Sequence, residues 1–337
     1  MIGKNLLDAQ DVSVQFRIDG EWLTAIDKVD LSVKPGEVLA LVGESGSGKS
    51  TFATAVMGLH SNTQARVTGS IVLDGHQIVD ASEKEMQELR GVKAGMIFQD
   101  PLSALNPLMK IGDQIIEAMS VHDVYPKDQW NDRTIQLLKE VGITKPERVA
   151  QQFPHELSGG MRQRVMIAMA IANEPDLIIA DEPTTALDVT IQSQILDLIK
   201  DIQEKKNAGV LLITHDLGVV AEMADSVAVM YAGQIVENGS VEDVFTNPLH
   251  PYTRSLLRAN PSEDTIGDDL YVIPGTVPSL AAMDHTKDLF LRRVPWMQKE
   301  AEETIPDELV EAKPGHFVRG TAWKTFKFPD EKKGVKK

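Results

Sequence analysis

The stretch that decides the fold of this 337-residue chain lies at residues 43–50 and reads GESGSGKS. It fits the pattern G-x-x-x-x-G-K-[ST], follows the apolar run VLALV at 38–42 and precedes residues that favour a helix. Such glycines let backbone N–H groups point inward, and the helix N-terminus adds a dipole that favours anions. The pattern predicts a loop that binds the phosphates of a nucleoside triphosphate. Its candidate binding residues are Gly43, Ser45, Gly46, Ser47, Gly48, Lys49, Ser50 and Thr51.

A pair of acids further along the chain complements this loop. Residues 176–183, DLIIADEP, read as a buried strand that ends in Asp181 and Glu182. A parallel strand would deliver Asp181 to the sheet edge beside the loop, where it and the Ser50 hydroxyl can hold Mg²⁺. Glu182 follows directly, so its carboxylate can address a water in line with the γ-phosphate. It is the candidate general base.

Composition excludes several other classes of protein. Lys+Arg 34 against Asp+Glu 50 give a net charge of −16, which argues against broad binding to nucleic acid. There is no cysteine, so disulfides, thiolate metal sites and cysteine nucleophiles are excluded. The longest apolar run, about 165–172, is far short of the roughly 18–20 residues that span a bilayer. Any membrane attachment is therefore expected to come from protein partners.

The pattern of elements predicts a parallel sheet with additions. Short strands and turns are expected over 11–42, with a turn at Asp19-Gly20, and a hairpin is expected over 68–79 around Asp74-Gly75. Runs at 177–180, 210–213 and 227–230 alternate with helical segments, as in βαβ units. A proline-punctuated, more helical region occupies about 101–165. We expect a nucleotide-binding domain over 1–260 and an irregular extension over 261–337.

Residues 157–164, LSGGMRQR, resemble the signature of the ATP-binding cassette (ABC) superfamily. The other family motifs recur in order over 43–216. Gln99 resembles the Q-loop glutamine, Asp188 the D-loop aspartate and His215 the switch histidine. In the residues alone, Gln99 and His215 would be ordinary polar groups at strand ends.

The resemblance implies a fold, an activity and further site residues. The fold is α/β: a P-loop NTPase with a doubly wound, mostly parallel core, an antiparallel β subdomain, a helical subdomain and a C-terminal extension. ATP with Mg²⁺ would be bound and hydrolysed, with Glu182, His215 and Gln99 catalytic and Gln99 also near the metal. Two such chains would enclose ATP head-to-tail, each contributing a signature helix start to the partner's nucleotide. The residues involved would be Ser158, Gly159, Gly160 and Asp188.

The C-terminal sequence resembles one branch of this superfamily. NPLHPYTRSLL at 247–257 and IPGTVPSL at 273–280 are similar to the oligopeptide/dipeptide importer ATPases, and DEPTTALDVT at 181–190 fits the D-type subunit. The resemblance implies a peripheral protein on the cytoplasmic face of the membrane, paired with a homologous ATPase subunit. Two transmembrane permease subunits and an extracellular peptide-binding protein would complete the importer. Many relatives carry a cysteine cluster here, but 283–300 has none, so no iron–sulfur cluster is expected.

Three alternatives stay open on the sequence. One is a soluble ABC ATPase that acts on ribosomes or DNA instead of in transport, and another is a regulatory module that binds ATP without useful turnover. The third concerns the aromatic that stacks on adenine in the family. Phe16 and Trp22 are both candidates, and core packing is the alternative for Phe16. Peptide preference and the equivalence of the two ATP sites lie beyond the sequence of one chain.

Overall fold

The computed structural model describes residues 5–61, 63–260, 271–306 and 308–331. The strands are β1 (Leu7–Ile18), β2 (Glu21–Val33), β3 (Val38–Val42), β4 (Ala65–Leu73), β5 (His76–Gln77), β6 (Ala94–Ile97), β7 (Leu177–Asp181), β8 (Gly209–Thr214), β9 (Ser226–Tyr231), β10 (Gln234–Ser240), β11 (Leu309–Lys313) and β12 (His316–Arg319). The helices are α1 (Lys49–Val56), α2 (Glu83–Leu89), α3 (Pro101–Ala104), α4 (Ile111–Ser120), α5 (Trp130–Glu140), α6 (Pro146–Ala150), α7 (Gly159–Ala170), α8 (Val189–Lys206), α9 (Leu217–Met223), α10 (Val241–Thr246) and α11 (Pro251–Ala259).

The first sheet is antiparallel, with strand order β2-β1-β4-β5. Its two hairpins turn at the Asp-Gly pairs that the sequence indicates. Asp19 and Gly20 have φ of 52° and 88°, as a two-residue turn between right-twisted strands requires. The prediction of short strands is wrong over 11–33, because β1 and β2 run for 12 and 13 residues, whereas β3 is a short strand of five residues as predicted. Register shifts between Ala9 and Gln15 interrupt the alternation, so one long bulged strand looks like short pieces in the sequence.

The second sheet carries the core and has the order β11-β12-β10-β9-β3-β8-β7-β6 in the described residues. The five strands from β9 to β6 are parallel, and β3, β7 and β8 are buried along their whole length. Leu211 and Ile213 of β8 share a cluster with α1, whereas Val210 and Leu212 share one with α8. Helices therefore cover both faces of the sheet, which confirms the predicted doubly wound α/β core.

The helical region follows the prolines that the sequence shows. Pro101 and Pro146 occupy the first turns of α3 and α6, where a missing N–H costs nothing. Ile115 of α4, Leu138 of α5 and Val165 of α7 are buried in one cluster with the sheet. The helices of this region thereby pack on β6, which ends two residues before Gln99, and on β7, which ends at Asp181.

The C-terminal residues are more regular than the sequence indicates. β12 pairs antiparallel with β10 and β11 with β12, so two strands extend the main sheet at its β10 edge. Both strands are only four or five residues long, and a short strand gives little alternation to detect. Phe290 and Phe328 pack in a common cluster with the end of β9. The predicted division at 260/261 borders a segment outside the described residues, and it stays a prediction.

Candidate functional site

The loop at residues 43–50 joins β3 to α1, as the motif predicts. Two of its glycines are required by the geometry. A Cβ on Gly43 would lie 2.2 Å from the Met230 carbonyl oxygen, so only glycine lets the loop lie against β9. Gly48 caps α1 with a left-handed φ of 109°, and a Cβ there would meet Ile26 at 2.6 Å. The loop is therefore shaped by its own chain on at least two sides.

Lys49 is folded into this loop and is only 5% exposed. Its Nζ donates to the carbonyl oxygens of Gly43 at 2.8 Å and Glu44 at 3.0 Å, and lies 3.4 Å from Ser47 Oγ. Burial lowers the pKa of this ammonium, while the carboxylates of Glu182, Asp181 and Glu44 act in the opposite direction. The loop thus holds a cation at its centre.

Asp181 and Ser50 meet across the sheet edge. Asp181 is the last residue of β7, and Ser50 Oγ donates to its Oδ1 at 3.0 Å. Burial raises the pKa of Asp181, and the hydrogen bond from Ser50 works against that rise. A hydroxyl and a carboxylate oxygen are the hard donors that Mg²⁺ prefers, so the residues present fit this ion.

The Glu182 side chain is the place where residues that follow β6, β7 and β8 meet. Its backbone has φ of 46°, a left-handed conformation that is uncommon for this residue type and often found at functional sites. Gln99 Nε2 and Thr185 Oγ1 each donate to its Oε2 at 2.9 Å. His215 Nδ1 lies 3.3 Å from its Oε1. The structure therefore brings together the three predicted catalytic residues and adds Thr185, which the sequence analysis missed.

The signature residues form a second helix start. Ser158 caps α7, and its Oγ accepts a hydrogen bond from the Met161 N–H at 3.4 Å. A Cβ on Gly159 would have no atom within 4 Å, whereas one on Gly160 would meet Ile191 at 3.0 Å. Within the part of the chain that the structure describes, no hydrogen bond joins this segment to the loop at 43–50.

One further hydrogen bond joins the signature helix to the chain beside the acid pair, and Asp188 caps the helix that follows. Gln163 Nε2 donates to the Pro183 carbonyl at 2.6 Å. Asp188 caps α8 and accepts from the Ile191 N–H at 3.0 Å. Asp188 is thus the N-cap of α8, the same helix whose Ile191 lies next to Gly160.

The two candidate adenine-stacking aromatics have intramolecular neighbours. Phe16 packs edge-on against His60, with ring centroids 5.4 Å apart, and lies against the core. Trp22 carries the Arg66 guanidinium over its ring at 4.6 Å. These contacts do not choose between the two, so adenine stacking by either residue stays a prediction.

The loop also has partners that the sequence analysis missed. The Glu44 N–H donates to Tyr252 Oη at 2.7 Å, and the Glu44 carboxylate forms an ion pair with Arg293. Both partners belong to the C-terminal region, here α11 and the chain after it, in which the sequence analysis named no site residue. Arg293 lies 249 residues from Glu44, a separation at which no local spacing could reveal the contact.

These features together define an ATPase of the ABC class, and comparison with known proteins agrees. The ABC transporter family profile matches residues 26–185, and a profile for the oligopeptide/dipeptide transporter C-terminal region matches residues 236–296. The dimeric ATP-binding cassette MJ0796, solved bound to ADP and Pi, has a TM-score of 0.62 with 29% identity. That match covers 70% of this chain and 98% of the other.

Full-length relatives narrow the assignment. The oligopeptide transport ATP-binding protein OppD of Lactococcus lactis subsp. lactis (strain IL1403) is 66% identical over 338 residues, or 100% of both chains. OppD of Bacillus subtilis (strain 168) is 48% identical over 316 residues, 93% of this chain and 88% of that protein. The chain belongs to the ABC transporter family, among its oligopeptide transport ATP-binding proteins. The family predicted from the motifs is thereby confirmed. Among the described residues, no helix is long and apolar enough to cross a bilayer.

Proposed function

We propose that this chain binds and hydrolyses ATP to power the import of oligopeptides through an ABC transporter complex. The observation that carries the proposal is the convergence of Gln99, His215 and Thr185 on the Glu182 carboxylate, beside a complete phosphate-binding loop. The full-length likeness to oligopeptide transport ATP-binding proteins supplies the class of cargo.

The loop and its lysine provide the binding step. Backbone N–H groups of the loop and the N-terminus of α1 offer donors to the phosphates, and Lys49 places its charge against the β- and γ-phosphates. Ser50, Asp181 and Gln99 would hold Mg²⁺, which when bound offsets the negative charge of the phosphates. These three residues reach the loop from α1 and from the ends of β7 and β6.

Glu182 provides the chemical step as general base. Its carboxylate accepts a proton from the attacking water as the water oxygen bonds to the γ-phosphorus. The bond between that phosphorus and the bridging oxygen breaks, and ADP and phosphate leave. Gln99 and Thr185 fix one carboxylate oxygen, so the other is oriented toward the water and His215.

The signature segment serves a second ATPase chain. Ser158, Gly159 and Gly160 begin a helix whose free N–H groups suit a γ-phosphate. Gly159 is open to its surroundings, which supports a role completed by a partner. We infer a heterodimer with a homologous ATPase subunit, in which Asp188 lies near the shared interface. ATP would be enclosed between the loop of one chain and the signature of the other.

The helical region about 101–165 would contact the permeases. Leu102, Leu108 and Val121 are 59%, 86% and 65% exposed, an apolar set that suits a protein partner. We infer two transmembrane permease subunits and an extracellular peptide-binding protein, with this chain on the cytoplasmic face. Closure of the ATPase dimer would then reorient the permeases, and hydrolysis would reopen it.

Reconstitution tests the proposal against the non-transport alternative. The chain, co-expressed with the proteins that co-purify with it from membranes, is placed in lipid vesicles with ATP inside. The vesicle interior then represents the cytoplasm. Peptide accumulation that requires ATP hydrolysis is expected. Recovery of ribosomes without membrane subunits would contradict importer function, and the net charge of −16 already disfavours that outcome.

A further inference from the structure

The C-terminal region holds the phosphate-binding loop through one arginine. Arg293 Nη1 lies 2.5 Å from Glu44 Oε2, and Nη2 donates to Glu44 Oε1 at 3.2 Å. Its remaining donors are occupied as well, since Nε donates to the Pro274 carbonyl at 2.6 Å and Nη2 to the Gly275 carbonyl at 3.0 Å. The carbonyl groups of Pro274 and Gly275 thus fix the guanidinium, and both of its terminal nitrogens, Nη1 and Nη2, face Glu44.

The surroundings make this ion pair stiff and only partly solvated. The Arg293 side chain is 6% exposed and that of Glu44 is 29% exposed. Tyr231, Tyr252 and Phe290 pack around it, with ring centroids 4.7 to 5.5 Å apart. Tyr231 Oη also accepts from Arg293 Nη1 at 3.3 Å. A fork-shaped guanidinium on a carboxylate in such a setting is a strong charge-assisted contact.

The position of Glu44 gives the pair a consequence for nucleotide binding. Glu44 follows the first glycine of a loop that has to accept a triphosphate, and its carboxylate acts electrostatically on Lys49. An unpaired carboxylate at this place would repel the phosphates and compete for the lysine charge. The guanidinium of Arg293 places one positive charge next to the negative charge of the Glu44 carboxylate.

We propose that Arg293 neutralises Glu44 and thereby sets the affinity of the phosphate-binding loop for ATP. Arg293 acts on the nucleotide through Glu44 and is a positioning residue. The C-terminal region is then an electrostatic part of the nucleotide site in addition to a packing element. The inference rests on the proposed binding of ATP by this loop.

The test measures ATP affinity of the full-length chain by displacement of a fluorescent ATP analogue with Mg²⁺ present. Arg293→Met removes the charge and keeps the length, and we expect the dissociation constant for ATP to rise about tenfold. Glu44→Gln removes the opposing charge and is expected to tighten ATP binding by about threefold. In the double variant the unpaired carboxylate is gone, so affinity should return to within about threefold of wild type.

A matched control lies in the same region. Arg258 pairs with Asp330 at 2.5 Å and stacks on Phe328, so it joins α11 to residues 328–330 and has no contact with the loop in the described residues. Arg258→Met should leave the ATP dissociation constant within about twofold of wild type. Thermal unfolding without nucleotide is measured for every variant. This control separates a loss of charge from a general loss of stability.

Each result decides the inference. Recovery of affinity in the double variant supports charge neutralisation, because a purely structural role of Arg293 would not be rescued by Glu44→Gln. An affinity of Arg293→Met equal to wild type, or a double variant as weak as Arg293→Met, would overturn it. If Arg293→Met does not fold, Glu44→Gln still decides, since weaker binding there would contradict the charge argument. A wild-type chain that binds no ATP would overturn this inference and the proposed function together.

Discussion

Two glycine-rich segments begin helices in this molecule, the loop before α1 and the signature before α7, and their surroundings differ. The two ends of the loop pack against its own chain, and its middle is open at Gly46. Gly43 lies against Met230, Gly48 against Ile26, and Lys49 is buried. The signature is open at Gly159, where an added side chain would meet nothing. The chain's own residues thus hold the first segment at Gly43, Gly48 and Lys49, but they leave the start of the second segment exposed at Gly159.

In the proposed function one chain binds a nucleotide yet depends on a second chain for turnover, and this difference between the segments is consistent with that division. A donor set that is fixed before the ligand arrives binds it without reorganising. The loop, held at Gly43, Gly48 and Lys49, is such a set. An open helix start with free N–H groups has the chemistry of an anion site but has no ligand to hold until a partner presents one. Four predictions separate the two segments.

The largest effect is expected at Glu182, whose carboxylate acts on Lys49 of the phosphate-binding loop in the same chain. Glu182→Gln should lower ATP hydrolysis by about 10²- to 10⁴-fold, because the amide cannot accept a proton from water. ATP binding should persist, and an ATP-bound dimer should accumulate. Phosphate release and gel filtration with the partner subunit measure both properties. Hydrolysis at the wild-type rate would show that another group is the base, and Glu204→Gln, an exposed change on α8, is the control.

Lys49→Ala tests whether the phosphate-binding loop at residues 43–50 binds ATP without a partner chain. Loss of the central ammonium should raise the ATP dissociation constant of the isolated chain about 100-fold. Equilibrium displacement of a fluorescent analogue gives this value. Lys205→Ala, on an exposed helix end, should leave it unchanged. A rise of less than about threefold would mean that the loop depends on the partner as much as the signature does.

Gly159→Glu tests the open segment. A carboxylate at the first turn of α7 is compatible with the helix dipole, and nothing in the chain opposes the side chain. In the assembled complex it would face the partner's nucleotide and repel it, so hydrolysis should fall by about tenfold or more. ATP affinity of the isolated chain should stay close to wild type. An equally large loss of ATP affinity in the isolated Gly159→Glu chain would contradict the distinction between the two segments.

The smallest effect concerns stability and has opposite signs at the two glycines. Gly48→Ala forces a left-handed φ of 109° and a contact with Ile26, and should lower the free energy of unfolding by about 2 kcal/mol. Gly159→Ala removes backbone freedom from the unfolded chain and should raise it by up to about 0.5 kcal/mol. Urea unfolding without nucleotide measures both. Equal losses would show that Gly159 is as constrained as Gly48.

Local chemistry made much of this molecule predictable. The Asp-Gly hairpins, the loop at 43–50, the buried parallel strands and the position of Glu182 follow from patterns a few residues long, combined with the rule that parallel strands end at one edge. The roles of Gln99 and His215 beside Glu182 were expected only from the family resemblance. The bulges in β1 were hidden, because Asp11 and its neighbours only look like a break in alternation. The pairing of Arg293 with Glu44 was hidden for a different reason: it depends on the packing of an entire domain.

The separation of 249 residues between Glu44 and Arg293 also has a consequence for the order of biosynthesis. At the usual 5–20 residues per second, a ribosome adds Arg293 about 12–50 s after Glu44. During that interval the emerging chain has its loop sequence but lacks the guanidinium that faces Glu44. Under the proposed role of Arg293, a nascent chain would reach full nucleotide affinity only after residue 293 has been added.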